Sequence, residues 1–308
     1  TLLVPGPEDG PLAHWSARLA AALARSMTIA VQLTQTVLGG PDGVTAANRF
    51  ATAAAPDGRT LLVLPGAAAQ AWLVGDPRAR FDGAGWVPVC AVQGPAVVAG
   101  RAPLATASLV ASAQAPIRCG FATPDQAGTA ALLGMDLLGL PATPVPGLIG
   151  PRAEAALAQG AVEAVVLQGA DVPARLAALG AKPWFTLDGP GPREPALPEV
   201  PTLGELASGG DAALRGAFLA AAANARLVGA LLLPALTPSD VVALWRAAAQ
   251  RWLEEEARTG LPAGIRANAG AELAPVFSPL APPVEAVLAY REWLMRRLRW
   301  KPDASAAL

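Results

Sequence analysis

The chain has 308 residues, which is enough for two domains with sizeable cores. It carries 23 Lys and Arg residues against 24 Asp and Glu residues, so its formal net charge of −1 leaves no basic surface for nucleic acid. A mean hydropathy of +0.39 suggests a membrane protein, but prolines interrupt the long uncharged stretches Gly83–Gly100 and Leu137–Gly150. No segment therefore resembles the ~20 apolar residues that a membrane span needs.

The residues that bind metals and form disulfides are scarce. The chain contains one histidine, His14, and two cysteines, Cys90 and Cys119, that lie far apart in the sequence. A zinc site built from His and Cys is therefore excluded. The cysteines either pair in an oxidising compartment or lie as two small buried hydrophobic residues, and the second reading is favoured. Thr1 leads directly into an apolar run, as removal of a targeting segment would leave it.

The first predicted elements alternate between strand and helix. A short apolar strand comes first, and a helix follows in which Trp15, Leu19, Leu23 and Met27 recur every four residues. Pro11 suits the first turn of that helix because proline lacks the N–H that would be unpaired there. The next elements are a strand, a helix and a compact buried strand, predicted at Ile29–Leu33, Thr45–Ala55 and Thr60–Leu64.

The alternation continues through the rest of the chain, with Val87–Val98 predicted as one or two strands. Thr237-Pro238 and Pro282-Pro283 each begin a late helix. Such alternation favours an α/β fold with a largely parallel sheet and helices on its faces. The elements predicted between these regions are the helices Leu104–Ala113, Arg152–Gln159 and Val172–Leu179, a helix ending at Leu138, and the extended segments Ile117–Phe121, Pro144–Leu148, Ala164–Gln168 and Trp184–Leu187.

Three predicted turns from strand to helix contain glycine, namely Pro7–Ala13, Gly39–Thr45 and Thr123–Thr129. The first N–H groups of a helix are free and lie at the positive end of its dipole, so such a turn holds an anion without a charged side chain. One glycine turn is routine in α/β proteins, but three in a chain this poor in charge favour a pocket lined by backbone. Gly39–Gly43 lacks the Lys-Ser/Thr ending of a phosphate-binding P-loop, and no dinucleotide motif is present.

The sequence offers little to a catalytic interpretation. His14 is the only imidazole, and no GxSxG motif presents a serine to it. Glu254-Glu255-Glu256 is most simply a solvated helix face, because runs of like charge favour water. We therefore expect no enzymatic activity, no cofactor and no metal.

Several segments match a known family in the same order along the chain. Gly43–Val63, with the sequence GVTAANRFATAAAPDGRTLLV, resembles the Gly-rich turn, Ala-rich helix and PDG-T-L-L strand of the tripartite tricarboxylate transporter substrate-binding proteins, also called the Bordetella uptake gene family. Asp82–Val89 is similar to that family's D-F-x-P-V segment and Gly160–Glu163 to its G-Q-V-D. Leu197–Glu205 is close to its L-P-d-V-P-T-x-x-E, the most specific match. The resemblance covers nearly the whole chain.

The resemblance implies a two-lobed, periplasmic-binding-protein-like (type II) fold, each lobe a mixed sheet flanked by helices. Residues 1–102 and 222–308 would form lobe 1, and residues 103–221 lobe 2, with the ligand cleft between them. It also implies an exported, periplasmic receptor for a small organic ligand, usually a carboxylate. Such a receptor passes its ligand to a membrane permease or signals to a sensor, and it has no membrane span of its own and no nucleic-acid partner.

Carried over position by position, the resemblance also predicts the residues that touch the ligand. The expected contacts from lobe 1 are Pro7, Gly10, Gly43 and Val44, and those from lobe 2 are Thr123, Gly128 and Thr129. We add His14, which stands four residues before Arg18, where the family usually has an aspartate.

The chain departs from the family pattern in its ligand-contacting segments. Glu8-Asp9 makes the first loop acidic, Gly147-Leu148-Ile149 replaces a Tyr-x-Gly turn, and Ala156 replaces an aspartate. An acidic loop repels a carboxylate unless its side chains point away. We therefore expect a larger, less acidic or more apolar ligand. The alternative is a non-transporting interaction or structural subunit that reuses the scaffold.

Overall fold

A computed structural model describes residues 1–27, 31–207, 209–257 and 260–301. In it, one half of the molecule is built on a mixed sheet of six strands, in the order β11-β4-β10-β3-β1-β2. These strands are β1 (Leu2–Pro5), β2 (Gln35–Leu38), β3 (Leu61–Leu64), β4 (Val87–Gln93), β10 (Leu227–Leu233) and β11 (Arg266–Ala269). β1 pairs in parallel with β2 and β3, so the turns that follow these three strands lie at one edge of the sheet.

A second mixed sheet of five strands has the order β7-β6-β8-β5-β9. Its strands are β5 (Ala96–Gly100), β6 (Ile117–Gly120), β7 (Ala142–Val145), β8 (Ala164–Gln168) and β9 (Lys182–Thr186). β6 pairs in parallel with β7 and β8, which again brings three turns to one edge. We refer to the halves built on the first and second sheets as lobe 1 and lobe 2.

Helices flank both sheets. Lobe 1 carries α1 (Pro11–Ser26), α2 (Val44–Ala53), α3 (Gly66–Val74), α10 (Ser239–Trp252) and α11 (Leu273–Phe277). Lobe 2 carries α4 (Leu104–Ala113), α5 (Ala130–Leu137), α6 (Pro151–Ala158), α7 (Val172–Leu179) and α8 (Leu203–Leu206). Two further helices, α9 (Ala212–Arg226) and α12 (Val284–Leu298), pack against each other. The α/β class expected from the sequence is confirmed.

The chain crosses between the sheets twice. β4 ends at Gln93 in the first sheet, and β5 begins at Ala96 in the second, so the first crossing lies at Gly94-Pro95. The predicted boundary at residue 102 instead places β5 in lobe 1, because the apolar run Val87–Val98 hides this break. The second crossing follows α9, which ends at Arg226 before β10 returns to the first sheet. The predicted boundary at residue 222 lies inside that helix.

The C-terminal helix α12 joins the two lobes, whereas the prediction placed it in lobe 1. Tyr290 and Leu294 of α12 are fully buried in one cluster with Leu132 of α5 and Leu73 of α3. The Trp293 indole N–H donates to Asp136 of α5 at 2.8 Å. This continuous core belongs to neither lobe alone.

Two of the helices that the sequence does not predict, α3 and α9, are rich in alanine. α3 and α9 contain GAAAQAWLV and AALRGAFLAAAANAR, in which few large apolar residues mark one helical face. The predicted strand Ile29–Leu33 lies partly outside the described residues, and the strand that pairs with β1 is Gln35–Leu38. β8 and α7 have the predicted bounds.

The two cysteines lie in different sheets, Cys90 on β4 and Cys119 on β6. Both are free and buried, as the favoured reading expected. Burial raises the pKa of each thiol to about 12, because a thiolate is poorly solvated in an apolar core.

Candidate ligand-binding cleft

A cleft of about 400 Å³ lies between the two lobes. Lobe 1 contributes the start of α3 to the lining, and the junction of α9 and β10 also lines the cleft. Lobe 2 contributes the turns that follow β6 and β7 and the C-terminal part of β8. Ligands of open α/β sheets bind beyond the carboxyl ends of parallel strands, which is where this cleft lies. Its lining residues are Pro65, Gly66, Ala67, Gly120, Phe121, Ala122, Gln126, Gly128, Leu148, Ile149, Gly150, Ala153, Val166, Gln168, Arg175, Asn224, Ala225 and Leu227.

The lobe-1 wall is the N-terminus of α3. A side-chain carbon at Gly66 would overlap the backbone oxygen of Asn224 and lie 2.8 Å from that of Leu227. Glycine therefore allows the first turn of α3 to lie directly against the end of α9. The Ala68 N–H donates to the Pro65 carbonyl at 3.1 Å, whereas the N–H groups of Gly66 and Ala67 have no partner within the helix. These two groups lie at the positive end of the helix dipole, so they suit an anion.

The lobe-2 wall has more room. Gly128 lies in a 3₁₀ turn, Ala127–Thr129, that leads into α5, and a side-chain carbon added there would meet no atom within 4 Å. Gly150, with φ of +50°, precedes α6, whose first turn contains Pro151. Ile149 between these turns is 59% exposed. Pro151 has no N–H, and the Arg152 N–H donates to the Ile149 carbonyl at 3.1 Å, so the start of α6 offers little to an anion. Lobe 2 thus offers the turn before α5 to a ligand's polar end and apolar surface to its body.

Among the described residues that line the cleft, Arg175 is the only one with a charged side chain, and it is already paired. Arg175 lies 2.5 Å from the Glu154 carboxylate and donates from Nη1 to the Gln168 carbonyl at 2.8 Å. Its charge is therefore balanced within lobe 2. The uncharged polar side chains of the lining are Gln126, Gln168 and Asn224.

Asn224 belongs to a chain of three buried polar side chains. Its Nδ2 donates to Gln70 Oε1 at 3.0 Å, and Gln70 Nε2 donates to the Tyr290 hydroxyl at 3.1 Å. Burial raises the pKa of Tyr290 well above its ordinary value, so the phenol stays neutral. Asn224 is 4% exposed, and its Oδ1 has no hydrogen-bond partner among the described residues.

Four charged residues lie together where the chain returns from lobe 2 to lobe 1. Glu194 accepts two hydrogen bonds from Arg266 of β11, at 2.7 and 2.9 Å, and Arg226 at the end of α9 pairs with Asp188. Burial raises the pKa of Asp188, and the neighbouring Arg226 opposes that shift. Because Glu194 lies in the segment after β9, its bond to Arg266 ties the two lobes together.

The predicted lobe-1 contacts are not among the described residues that line this cleft. Gly10 caps α1, and Pro7 and His14 are exposed. Gly43 caps α2 with φ of +75° and lies against Pro65, which does line the cleft. The N–H of Val44 already donates to the Asp42 side chain at 3.2 Å. The acidic residues of the first loop, Glu8 and Asp9, are exposed.

Of the predicted lobe-2 contacts, Gly128 lines the cleft. Thr129 is buried, and its hydroxyl donates to the Thr123 carbonyl at 3.1 Å, which closes the turn between them. These two threonines therefore shape the turn that carries Gly128.

Sequence reasoning missed Pro65-Gly66-Ala67, Arg175 and Asn224 as cleft residues. The signal for the first was present, because Pro65-Gly66 follows a buried strand just as the three glycine turns do. The sequence pattern does not predict α3, so it does not mark this turn as the start of a helix. Asn224 stands in an alanine-rich run without any motif, so only the packing of α9 on α3 places it in the cleft.

In the part of the chain that the structure describes, no group of three or more His, Cys, Asp or Glu residues could hold a metal ion. No single helix among the same residues has the length and apolarity of a membrane span. Two neighbouring helical segments, Gly270–Leu280 and Val284–Leu298, meet those criteria only together and across a 50° bend.

No protein-family model and no curated protein matches the chain. Solved structures do. A TctC solute-binding protein from Polaromonas, without ligand, is 16% identical over 96% of this chain and 97% of its own, with a TM-score of 0.70. MatC from Rhodopseudomonas palustris with bound malate is 22% identical over 96% of both chains, with a TM-score of 0.53. An R. palustris protein with adipate is 18% identical over 96% of this chain and 95% of its own, with a TM-score of 0.56.

At these identities the likeness establishes the fold. The chain has the two-lobed α/β architecture of periplasmic binding proteins, as predicted. Its structural neighbours include TctC and Bug solute-binding proteins, the family that its sequence resembles.

Proposed function

We propose that this protein is an exported solute-binding receptor that holds a small organic acid between its lobes, without catalysis. One observation carries the proposal: the start of α3 and the turns before α5 and α6 meet at a single cleft. Free N–H groups at helix starts bind a carboxylate without a charged side chain. The structures of similar fold that hold malate and adipate support the same ligand class.

The cleft favours an acid with an apolar body over a compact polyanion. Phe121, Leu148 and Ile149 form apolar surface, and the cation Arg175 is neutralised by Glu154. A ligand with several adjacent carboxylates would find no unpaired positive side chain among the described residues of the lining, and desolvating its charges would be costly. This agrees with the more apolar ligand expected from the sequence.

Closure of the lobes would complete the site. Gly43 lies against Pro65, so the turns after β1 and β2, with Pro7, Gly10, His14 and Val44, would cover the ligand from the lobe-1 side. Thr123 and Thr129 would hold the lobe-2 turn in place. The loaded receptor would then deliver its ligand to a membrane permease of the tripartite tricarboxylate type or signal to a sensor.

Calorimetric titration with adipate, hexanoate, malate and citrate tests the proposal. We expect one-to-one binding that is tighter for adipate or hexanoate than for citrate. Gly128→Leu should abolish it, because the added side chain enters the free space of the cleft. Gly209→Leu is the matched control, since Gly209 also has no atom within 4 Å of an added carbon but does not line the cleft. Absence of binding by all four acids, or unchanged binding by Gly128→Leu, would overturn the proposal.

An interaction subunit is the second candidate, supported by an exposed apolar stripe on α12. Val284, Leu288 and Met295 are 69%, 60% and 51% exposed, although large apolar side chains are usually covered. Native mass spectrometry of the protein purified from its source separates the two functions. A retained small acid supports the receptor, whereas a stoichiometric protein partner that Leu288→Asp releases supports the subunit.

A further inference from the structure

The buried hydrogen-bonded chain of Asn224, Gln70 and Tyr290 ends at the cleft, where Asn224 Oδ1 has no partner among the described residues. Asn224 lines the cleft and is 4% exposed, and Gln70 and Tyr290 are fully buried. The described residues give Asn224 Oδ1 no hydrogen-bond donor. Five other buried polar side-chain atoms among the described residues also lack a partner, but Asn224 is the residue of this group that lines the cleft, so its Oδ1 indicates a partner that binds from the cleft.

The direction of hydrogen bonding along this chain can be reversed. As described above, Asn224 donates to Gln70 and Gln70 donates to Tyr290. Rotating both amide groups by half a turn exchanges their oxygen and nitrogen atoms. The Tyr290 hydroxyl then donates to Gln70, Gln70 donates to Asn224 Oδ1, and Asn224 Nδ2 is freed as a donor.

The reversed direction suits a carboxylate. When Asn224 donates to Gln70, it presents its Oδ1 acceptor to the cleft, and an anion would repel that oxygen. In the second direction every amide and hydroxyl of the chain is paired except Asn224 Nδ2, whose N–H groups match a carboxylate oxygen. The neutral state of Tyr290 matters here, because only a phenol that keeps its proton can donate at the far end.

The surroundings of Asn224 add a second donor. Its backbone lies against Gly66, the first residue of α3, so the Asn224 amide and the free N–H groups of α3 are neighbours on one wall. Two adjacent donors of this kind hold the two oxygens of one carboxylate.

We infer that Asn224, oriented by Gln70 and Tyr290, binds the carboxylate of the ligand together with the N-terminus of α3. The inference rests on the proposed function, because it names the residue that recognises the acid in the same cleft. It makes Asn224 a ligand-binding residue and the other two side chains positioning residues.

The chain contains only three asparagines, Asn48, Asn224 and Asn268, which permits a direct test on the wild-type protein. Labelling with ¹⁵N-asparagine gives three pairs of side-chain amide signals, one pair per asparagine, assigned by Asn48→Ala and Asn268→Ala. Titration with adipate should shift the Asn224 pair and leave the other two pairs in place. Heat of binding without a shift at Asn224 would overturn the inference while leaving the proposed function intact.

Variants provide the second measurement. Asn224→Ala should weaken adipate binding about tenfold or more, as expected for a lost hydrogen bond to a charged group. Asn224→Asp should weaken it further, because a carboxylate at this position repels the ligand. Asn268→Ala is the matched control, since Asn268 donates to Gln93 in a similar amide pair that does not line the cleft. Equal affinity in folded Asn224→Ala and wild type would contradict the inference, as would equal losses in Asn224→Ala and Asn268→Ala. If wild type binds none of the four acids, the proposed function itself fails.

Discussion

The two walls of the cleft are built from the same kind of element, a glycine at the start of a helix, but they differ in packing. On lobe 1, Gly66 is pressed against the backbone at the junction of α9 and β10. On lobe 2, Gly128 and Gly150 face open space. The first wall is therefore fixed by the core that joins the lobes, whereas the second is free to vary. Affinity for a carboxylate can be kept on one wall while specificity changes on the other.

The largest expected effect tests this difference directly. Gly66→Ala forces a methyl group into the Asn224 backbone and should cost about 3 kcal/mol of stability, the upper part of the usual range for overpacking. Gly128→Ala should change stability by less than about 0.5 kcal/mol, because its methyl group meets nothing. Urea unfolding followed by circular dichroism measures both. Similar losses in the two variants would contradict the contrast between a fixed wall and an open one.

The charged cluster at the second crossing offers a way to loosen the fixed side. Glu194 has a 1% exposed side chain and binds Arg266 of lobe 1. Glu194→Gln should cost about 2 kcal/mol, less than for a fully buried pair because Arg266 is 35% exposed.

The exposed pair Arg193–Glu205 provides the control for that prediction. It lies on the surface of lobe 2, where solvent weakens ion pairs, so Glu205→Gln should leave the melting midpoint almost unchanged. The same two variants should differ in small-angle scattering, with a broader distribution of lobe separations for Glu194→Gln alone. Identical melting and scattering in the two variants would show that the cluster does not hold the lobes together.

The sequence predicts the lobe-2 wall of the cleft better than the region in which the two lobes join. Turns such as Thr123–Thr129 carry their own chemistry in glycine, proline and threonine, and the structure places Gly128 of that turn in the cleft. The lobe-1 wall and Asn224 depend on how α9, α3 and α12 pack, and alanine-rich helices carry no pattern that fixes their neighbours. The helix α12, expected in lobe 1, joins both lobes because its large residues Tyr290 and Leu294 pack in one cluster with α3 and α5, which its own sequence does not specify. Contacts between helices that are distant in the sequence therefore cannot be predicted from the local pattern of small residues.

The two buried thiols allow local opening of the two lobes to be compared, because each lobe contains one thiol. Cys90 lies on β4, which pairs with β10 and β11, whereas β6 around Cys119 pairs along its length with β7 and meets β8 only at Cys119 and Ala164. Local opening of β6 breaks fewer backbone hydrogen bonds. Single-cysteine variants, Cys90→Ala and Cys119→Ala, allow each thiol to be followed with a disulfide reagent under native conditions.

We expect neither thiol to react at once, because both are buried with a pKa raised to about 12. Cys119 should then react about tenfold faster than Cys90, the factor that ~1.4 kcal/mol of opening free energy gives. Complete reaction of both thiols in urea is the control for reagent access. Faster reaction of Cys90 would show that lobe 1 opens first. The lobe-1 wall at Gly66 would then be held in place by α9 and α12 alone, and not by the sheet that contains β3, the strand before α3.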